Sequence, residues 1–249
     1  MSLQGKSIIV TGGASGMGRA TALLVAKRGA KVAIADVNAD GGTKVASEIA
    51  KAGGQAFFQA TDLSERKQVQ ALVKRTVDAY GRVDVLAHAA AIAVHKSFMD
   101  LDDELWHRTI RVCLDATFYV DQEVAKVMVP QGGGRIINFA SQVAATGGPM
   151  LPAYSAAKAG VVALSKTIQK ELARKKVMVF CVAPGATDTP LWRANKSQAD
   201  MDKVRHIMPF GVATPEQIAE LVAFLADDAT GGILAGQTFH TNGSNFMGF

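Results

Sequence analysis

Apolar residues along this chain fall into short, nearly unbroken runs separated by longer stretches with helical spacing. Ile8-Ile9-Val10 is apolar at successive positions, so both faces of the segment 7–10 must be covered, as in a strand at the centre of a parallel sheet. Similar runs predict strands over 31–35 (ending at Asp36), 55–60, 83–87, 135–139, 177–182 and 237–240. Between them, periodic stretches predict helices through 20–28, 42–52, 65–80, 104–129, 152–173 and 215–225, the first closed by Gly29. Seven short strands alternating with helices imply an α/β chain: a doubly wound, mainly parallel seven-stranded sheet with helices on both faces. No linker, repeat or low-complexity tract divides it, so a single domain over 1–249 is expected. The stretch 190–208 is longer and more polar than the other connections and follows a strand's carboxyl end. Ligands bind at that edge in open α/β sheets, which makes 190–208 a candidate substrate lid.

Composition narrows the function classes. Hydrophobic residues make up 49% and charged residues 20%, too much apolar surface for a disordered chain. The formal charge of +5 is spread among the helical patterns, and its densest cluster, Arg174-Lys175-Lys176, stands where a helix should end. With no basic stripe interleaved with aromatics, nucleic acid is not expected as a partner. Cys113 and Cys181 match neither a metal spacing nor a disulfide framework, so no metal is expected and the thiols suit a reducing compartment. The opening residues lack the apolar stretch of a signal peptide, and no apolar run could span a bilayer. A soluble cytoplasmic protein is expected.

Candidate chemistry begins between the first strand and the first helix, at Thr11-Gly12-Gly13-Ala14-Ser15-Gly16-Met17-Gly18. Glycines at 12, 16 and 18 let a pyrophosphate approach the helix amino end, where unpaired N–H groups and the dipole favour an anion. Asp36 ends the second strand, 24 residues beyond Gly12. Its carboxylate can accept from ribose hydroxyls and would repel a 2′-phosphate, and Val37, Asn38 and Ser15 offer no cation to offset that. NAD is therefore the expected cofactor, rather than NADP. Tyr154 and Lys158 share one helix face at i, i+4. An ammonium roughly 5 Å from a phenol contributes about 3 kcal/mol at an effective dielectric near 20, and is expected to lower the tyrosine by roughly two units. That makes Tyr154 a candidate general acid/base. Ser141, just beyond the strand 135–139, is placed at the same carboxyl edge and could hold a substrate oxygen.

Together these motifs resemble the short-chain dehydrogenase/reductase family over essentially the full length. The resemblance implies a Rossmann-like domain and assigns catalysis to Ser141, Tyr154 and Lys158, with Tyr154 exchanging a proton at the substrate oxygen. It implies cofactor contacts from Gly12, Ser15, Gly16, Met17 and Gly18, from Asp36, Asp62 and Leu63, from Ala89, Tyr154 and Lys158, and from Pro184, Gly185, Thr187 and Thr189. It also implies a homotetramer, or less often a dimer, packed through the helices at 104–129 and 152–173.

Three positions depart from the family pattern. His88-Ala89-Ala90-Ala91 replaces Asn-Asn-Ala-Gly, Cys113 replaces a helix asparagine, and Phe180 replaces the asparagine of the sixth strand. A thiol is a poor stand-in for an amide that must both donate and accept. His88 is expected to be structural, and His95, His107, His206 and His240 to be surface or packing residues. Gln142, Met150, Leu151, Leu191 and Trp192 form the expected pocket, mixed and mainly apolar, for a neutral or weakly polar small secondary alcohol or ketone. The alternatives are an NADPH-dependent 3-oxoacyl carrier reductase and a non-catalytic NAD(H)-binding regulator.

Overall fold

The computed structural model describes residues 2–194, 196–229 and 232–246. The strands are β1 (Ser7–Thr11), β2 (Lys31–Asp36), β3 (Gln55–Ala60), β4 (Val85–His88), β5 (Gly134–Phe139), β6 (Val177–Pro184) and β7 (Thr238–Thr241). They form one sheet in the order β3-β2-β1-β4-β5-β6-β7, and every pair is parallel. The helices are α1 (Gly16–Lys27), α2 (Ala39–Lys51), α3 (Arg66–Tyr80), α4 (Asp103–Ile110), α5 (Ala116–Met128), α6 (Val143–Thr146), α7 (Pro152–Leu172), α8 (Pro190–Arg193), α9 (Gln198–Ile207) and α10 (Pro215–Ala226). The expected doubly wound α/β architecture is present, with all seven strands parallel.

Strand alternation explains why β1 reads as continuously apolar. Ile8 and Val10 face a cluster that contains Val25 of α1, Val45 of α2 and Val222 of α10. Ile9 faces the other side, with Leu72 of α3 and Val120 of α5. Both layers are mainly aliphatic, as the low aromatic content requires. Among the described residues no helix is long and apolar enough to cross a membrane.

Three local differences from the sequence expectation have identifiable causes. Helix α2 begins at Ala39, because the Asn38 side chain accepts the Gly41 N–H at 3.0 Å and caps the first turn. The stretch 104–129 is not one regular helix: a π-helical turn, Arg111–Asp115, separates α4 from α5. Cys113 lies in that turn, and the Thr117 hydroxyl donates to the Cys113 carbonyl at 3.0 Å. The connection 190–208 contains two helices. Thr189 caps α8 through Trp192 N–H, and a Ser197–Asp200 capping box starts α9. Asn195, between those helices, lies outside the described residues.

The carboxyl ends of β1, β2, β4, β5 and β6 open on one edge. Chain order reverses between β1 and β4, which places the crevice of the fold there.

Candidate active site

The glycine loop turns the chain from β1 into α1 with almost no room for side chains. A Cβ on Gly12 would lie 2.8 Å from the Ala90 amide nitrogen, and one on Gly18 would lie 2.1 Å from the Gly12 carbonyl oxygen. Gly12 also has φ +65°, a conformation that glycine adopts without strain. Ser15, the residue before α1, makes no side-chain cap to the helix, leaving the first turn's N–H groups open to an anion. At the end of β2, Asp36 accepts the Ala14 N–H at 3.0 Å and the Asn38 N–H at 2.9 Å, which fixes its carboxylate beside the loop.

These residues line a cavity of about 460 Å³. Gly12, Ser15, Gly16, Met17 and Gly18 line it from the loop and α1, with Asp36, Asp62, Leu63, Ala89 and Thr189 from other segments. The cradle that a Cβ would fill, the helix amino end and the fixed carboxylate together fit a nicotinamide dinucleotide.

A second cavity of about 470 Å³ shares Met17, Thr189 and Leu191 with the first, so the two abut. Ser141, just past β5, and Tyr154, in the first turn of α7, line it, together with Pro184, Gly185 and Thr187 after β6. Lys158 lies beneath, 1% exposed, its Nζ donating to the Phe139 carbonyl at 2.5 Å. Burial lowers its ammonium from the ordinary value.

The expected downward shift of Tyr154 is absent. Burial pushes the phenol above its ordinary value, Cys113 adds to the rise, and a hydrogen bond with Ser141 acts against it. The i, i+4 spacing does bring Lys158 close, but a helical side chain leans toward the amino end. The ammonium therefore reaches the ring, 5.7 Å from its centroid, and the Phe139 carbonyl.

With this geometry in view, the comparisons are specific. A family model described as short chain dehydrogenase matches residues 6–200. The chain belongs to the short-chain dehydrogenase family. A relative from Sinomonas cyclohexanicum, named cis-4-hydroxycyclohexanecarboxylate dehydrogenase, is 39% identical over 233 residues, covering 91% of this chain and 93% of its own. The 3-oxoacyl-acyl-carrier-protein reductase FabG of Thermotoga maritima is 34% identical, covering 98% of each chain. Among solved structures, a 7α-hydroxysteroid dehydrogenase complexed with NADH and 7-oxoglycochenodeoxycholic acid superposes with TM-score 0.93 at 29% identity, covering 97% of this chain and 94% of that one.

The departures of this short-chain dehydrogenase from its family pattern now have physical readings. His88 is buried, with Nδ1 2.8 Å from Thr11 Oγ1 and Nε2 3.0 Å from Thr117 Oγ1. Thr117 spends its proton on the Cys113 carbonyl, so Nε2–H donates to Thr117 and Nδ1 accepts from Thr11. Burial, reinforced by the charge of Lys158, pushes the imidazole down to about 3, so it stays neutral. His88 thus ties β4 to β1 and α5, the structural role expected of it. Cys113 does better than a thiol is expected to: its Sγ donates to Ile92 O at 3.3 Å and accepts from Ile92 N at 3.4 Å, holding the loop after β4. Phe180 is fully buried in the core.

Four titratable cavity residues escaped the sequence reading. Arg108 and Arg111, before and within the π-helical turn, line the dinucleotide cavity. His95 and Lys196 line the substrate cavity, so His95 is not the surface or packing residue expected. Of the five expected pocket residues, Gln142, Leu151, Leu191 and Trp192 line that cavity. Met150 does not; it is exposed, with φ +64°. No local signal marks the four missed residues, because each reaches its cavity from an element remote in sequence from the glycine loop.

Proposed function

We propose that this protein is an NAD-dependent oxidoreductase interconverting a small secondary alcohol and its ketone. The observation that carries this reading is the placement of Ser141 and Tyr154 in a cavity that abuts the glycine cradle at Met17, Thr189 and Leu191. Gly12, Ser15, Gly16, Met17 and Gly18 would hold the pyrophosphate, Asp36 the adenosine ribose, Asp62, Leu63 and Ala89 the adenine side, and Pro184, Gly185, Thr187 and Thr189 the nicotinamide side. A nicotinamide held there would supply the hydride chemistry at the substrate carbon. Ser141 holds the substrate oxygen, and Tyr154 removes its proton in oxidation or supplies it in reduction. Lys158, fixed by Phe139, would bind the nicotinamide ribose and keep a positive charge under the site. The relative named for cis-4-hydroxycyclohexanecarboxylate supports the alcohol reading, because that compound is a secondary alcohol. The chain works as a homotetramer packed through the outer faces of α4, α5 and α7, where Trp106 and Phe118 are exposed. It works in the cytoplasm, where its free thiols Cys113 and Cys181 persist.

A second reading is an NADPH-dependent 3-oxoacyl carrier reductase. Arg108 and Arg111 favour it, since both are exposed, line the dinucleotide cavity and form no ion pair among the described residues. It is the lesser reading because Asp36, bound on both oxygens, remains beside the loop. Incubating the protein with a panel of secondary alcohols and each oxidised cofactor separately, and following nicotinamide absorbance, decides between them. Turnover with NAD⁺ supports the first reading. Turnover confined to NADP⁺ assigns the arginines to the 2′-phosphate, and silence with both removes the alcohol reading.

A further inference from the structure

The substrate cavity is uncharged along its described lining except at one point. Lys196, between α8 and α9, carries its single formal charge, and no Asp or Glu lines it. The ammonium stands 5.2 Å from the centroid of the Trp192 ring and donates to the Trp192 carbonyl at 3.1 Å. It has three donors, and among the described residues it meets no second acceptor and no carboxylate within ion-pair distance. Asp200 acts on it through space without closing to an ion pair, and its Oδ2 accepts from the Ser197 N–H at 3.2 Å and the Ser197 hydroxyl at 2.6 Å. A half-buried ammonium with unused donors facing a cavity is costly to maintain without a partner.

His95, on the loop after β4, lines the same cavity. Burial, with the Lys196 charge acting in the same direction, lowers its imidazole from the ordinary value. It thus enters as a neutral hydrogen-bonding group beside the cation. The remaining lining includes Val143, Leu151, Leu191 and Met208, an aliphatic surface between the polar groups. The volume, about 470 Å³, lies within the roughly 300–1,000 Å³ range of small-molecule pockets.

We infer that the substrate is a monocarboxylic acid whose secondary alcohol or ketone meets Ser141 and Tyr154 while its carboxylate is bound by Lys196, with His95 beside it. This rests on the alcohol–ketone reading above and adds a substrate class to it. One lysine balances one carboxylate; a second would be buried without a partner. Two unused N–H donors match the two oxygens of a carboxylate, and the ring and carbonyl of Trp192 hold the ammonium in place before the ligand arrives. The carboxylate is unchanged by the reaction. In oxidation the alcohol carbon gives its hydrogen to NAD⁺ as hydride and the hydroxyl gives its proton to Tyr154, leaving an oxo acid, NADH and a proton.

The test compares secondary alcohols bearing a terminal carboxylate, on apolar spacers of increasing length, with their methyl esters, using enzyme saturated with NAD⁺. The acid is expected to exceed its ester in kcat/KM by about ten- to a hundredfold, chiefly through KM. Lys196→Met is expected to bring the acid-to-ester ratio near one, Lys196→Glu to invert it, and Lys196→Arg to keep it. A merely structural loss would lower acid and ester together and leave the ratio standing. Equal use of acid and ester by the unaltered enzyme overturns the inference while leaving the alcohol–ketone reading intact, as does an acid preference that survives Lys196→Met. Should neither compound turn over with NAD⁺ or NADP⁺, the parent reading fails. The site is then judged by binding: cyclohexanecarboxylate is titrated against Trp192 emission in a Trp106→Phe background. Saturable quenching that Lys196→Met abolishes supports the carboxylate site, and no quenching overturns it.

Discussion

At the scale of single residues, the candidate chemistry turns on how burial and hydrogen bonding act on one phenol. Tyr154 is held above its ordinary pKa by burial, with Ser141 opposing, so in the free protein it is a protonated phenol. That state suits donation of a proton to the oxygen of a ketone; oxidation requires the proton to leave first. Replacing Tyr154 by Phe deletes the proton carrier but leaves the glycine cradle, Asp36 and Lys158 in place. Turnover is expected to fall by about 10²–10⁴-fold or more, the range of general acid–base contributions. Dissociation of NADH, followed by its fluorescence, is expected to change little. A variant that keeps half of its turnover would remove Tyr154 from the mechanism.

At the scale of elements, two buried titratable groups behind the cavities act in opposite directions on stability. Asp121 of α5 accepts from Asn138 Nδ2 of β5 at 2.7 Å, and that amide also reaches Ser165 of α7 at 3.0 Å. Burial pushes the Asp121 carboxyl up to about 7. Asp121 Oδ1 and Asn138 Oδ1 are both buried without a partner. Cys181 of β6 faces the same cluster, its thiol pushed up to about 11 by burial, with Lys158 and Lys166 the cations that act on it.

The native state therefore holds a proton on Asp121 that the unfolded chain releases near pH 4. Stability falls as pH rises from there through about 7, by as much as about 4 kcal/mol. His88 has the reverse sign. Held down to about 3, it stays neutral in the fold while the unfolded chain binds a proton below about 6.5, so stability falls on acidification through that window. Denaturant unfolding at pH 5 and pH 8 is expected to show Asp121→Asn largely free of the alkaline loss. His88→Asn is expected to show a steeper loss from pH 5 to 8, because the opposing slope is gone. Identical profiles for all three proteins would mean that neither group is perturbed in the fold.

At the scale of the whole molecule, the parallel sheet brings the ends of β1, β2, β4, β5 and β6 to one edge, and each contributes a different part of the site. Leu191, Trp192, Lys196 and Met208, from the connection after β6, line the substrate cavity at that edge. Helices α4, α5 and α7 lie on the other flank, with Trp106 and Phe118 exposed and Arg66 over the Phe118 ring, 5.3 Å from its centroid. The proposed tetramer would cover this surface, so sedimentation equilibrium is expected to report four chains per particle. A single-chain mass at every concentration would rule out that assembly, and Phe118→Glu is expected to shift the four-chain particle toward smaller species.

What the sequence determined by itself was what short-range periodicity and backbone sterics specify. Short continuous apolar runs read as strands covered on both faces, and alternation with helices pointed to a parallel doubly wound sheet. Glycines at 12 and 18 stood where a side chain has no space, and Asp36 ended the strand beside them. The same reading placed Ser141 at the carboxyl edge of the sheet, because it follows a strand end, and set Tyr154 and Lys158 on one helix face. Tertiary structure alone decided the rest. The sign of the Tyr154 shift depended on desolvation and on where the Lys158 ammonium landed, neither of which i, i+4 spacing contains. Cys113 became both donor and acceptor because a π-helical turn set it against the Ile92 backbone. Lys196 and His95, 101 positions apart in the chain, come to line one cavity only in the folded chain. Charge in a cavity is a property of what surrounds it, and those surroundings are assembled from distant segments.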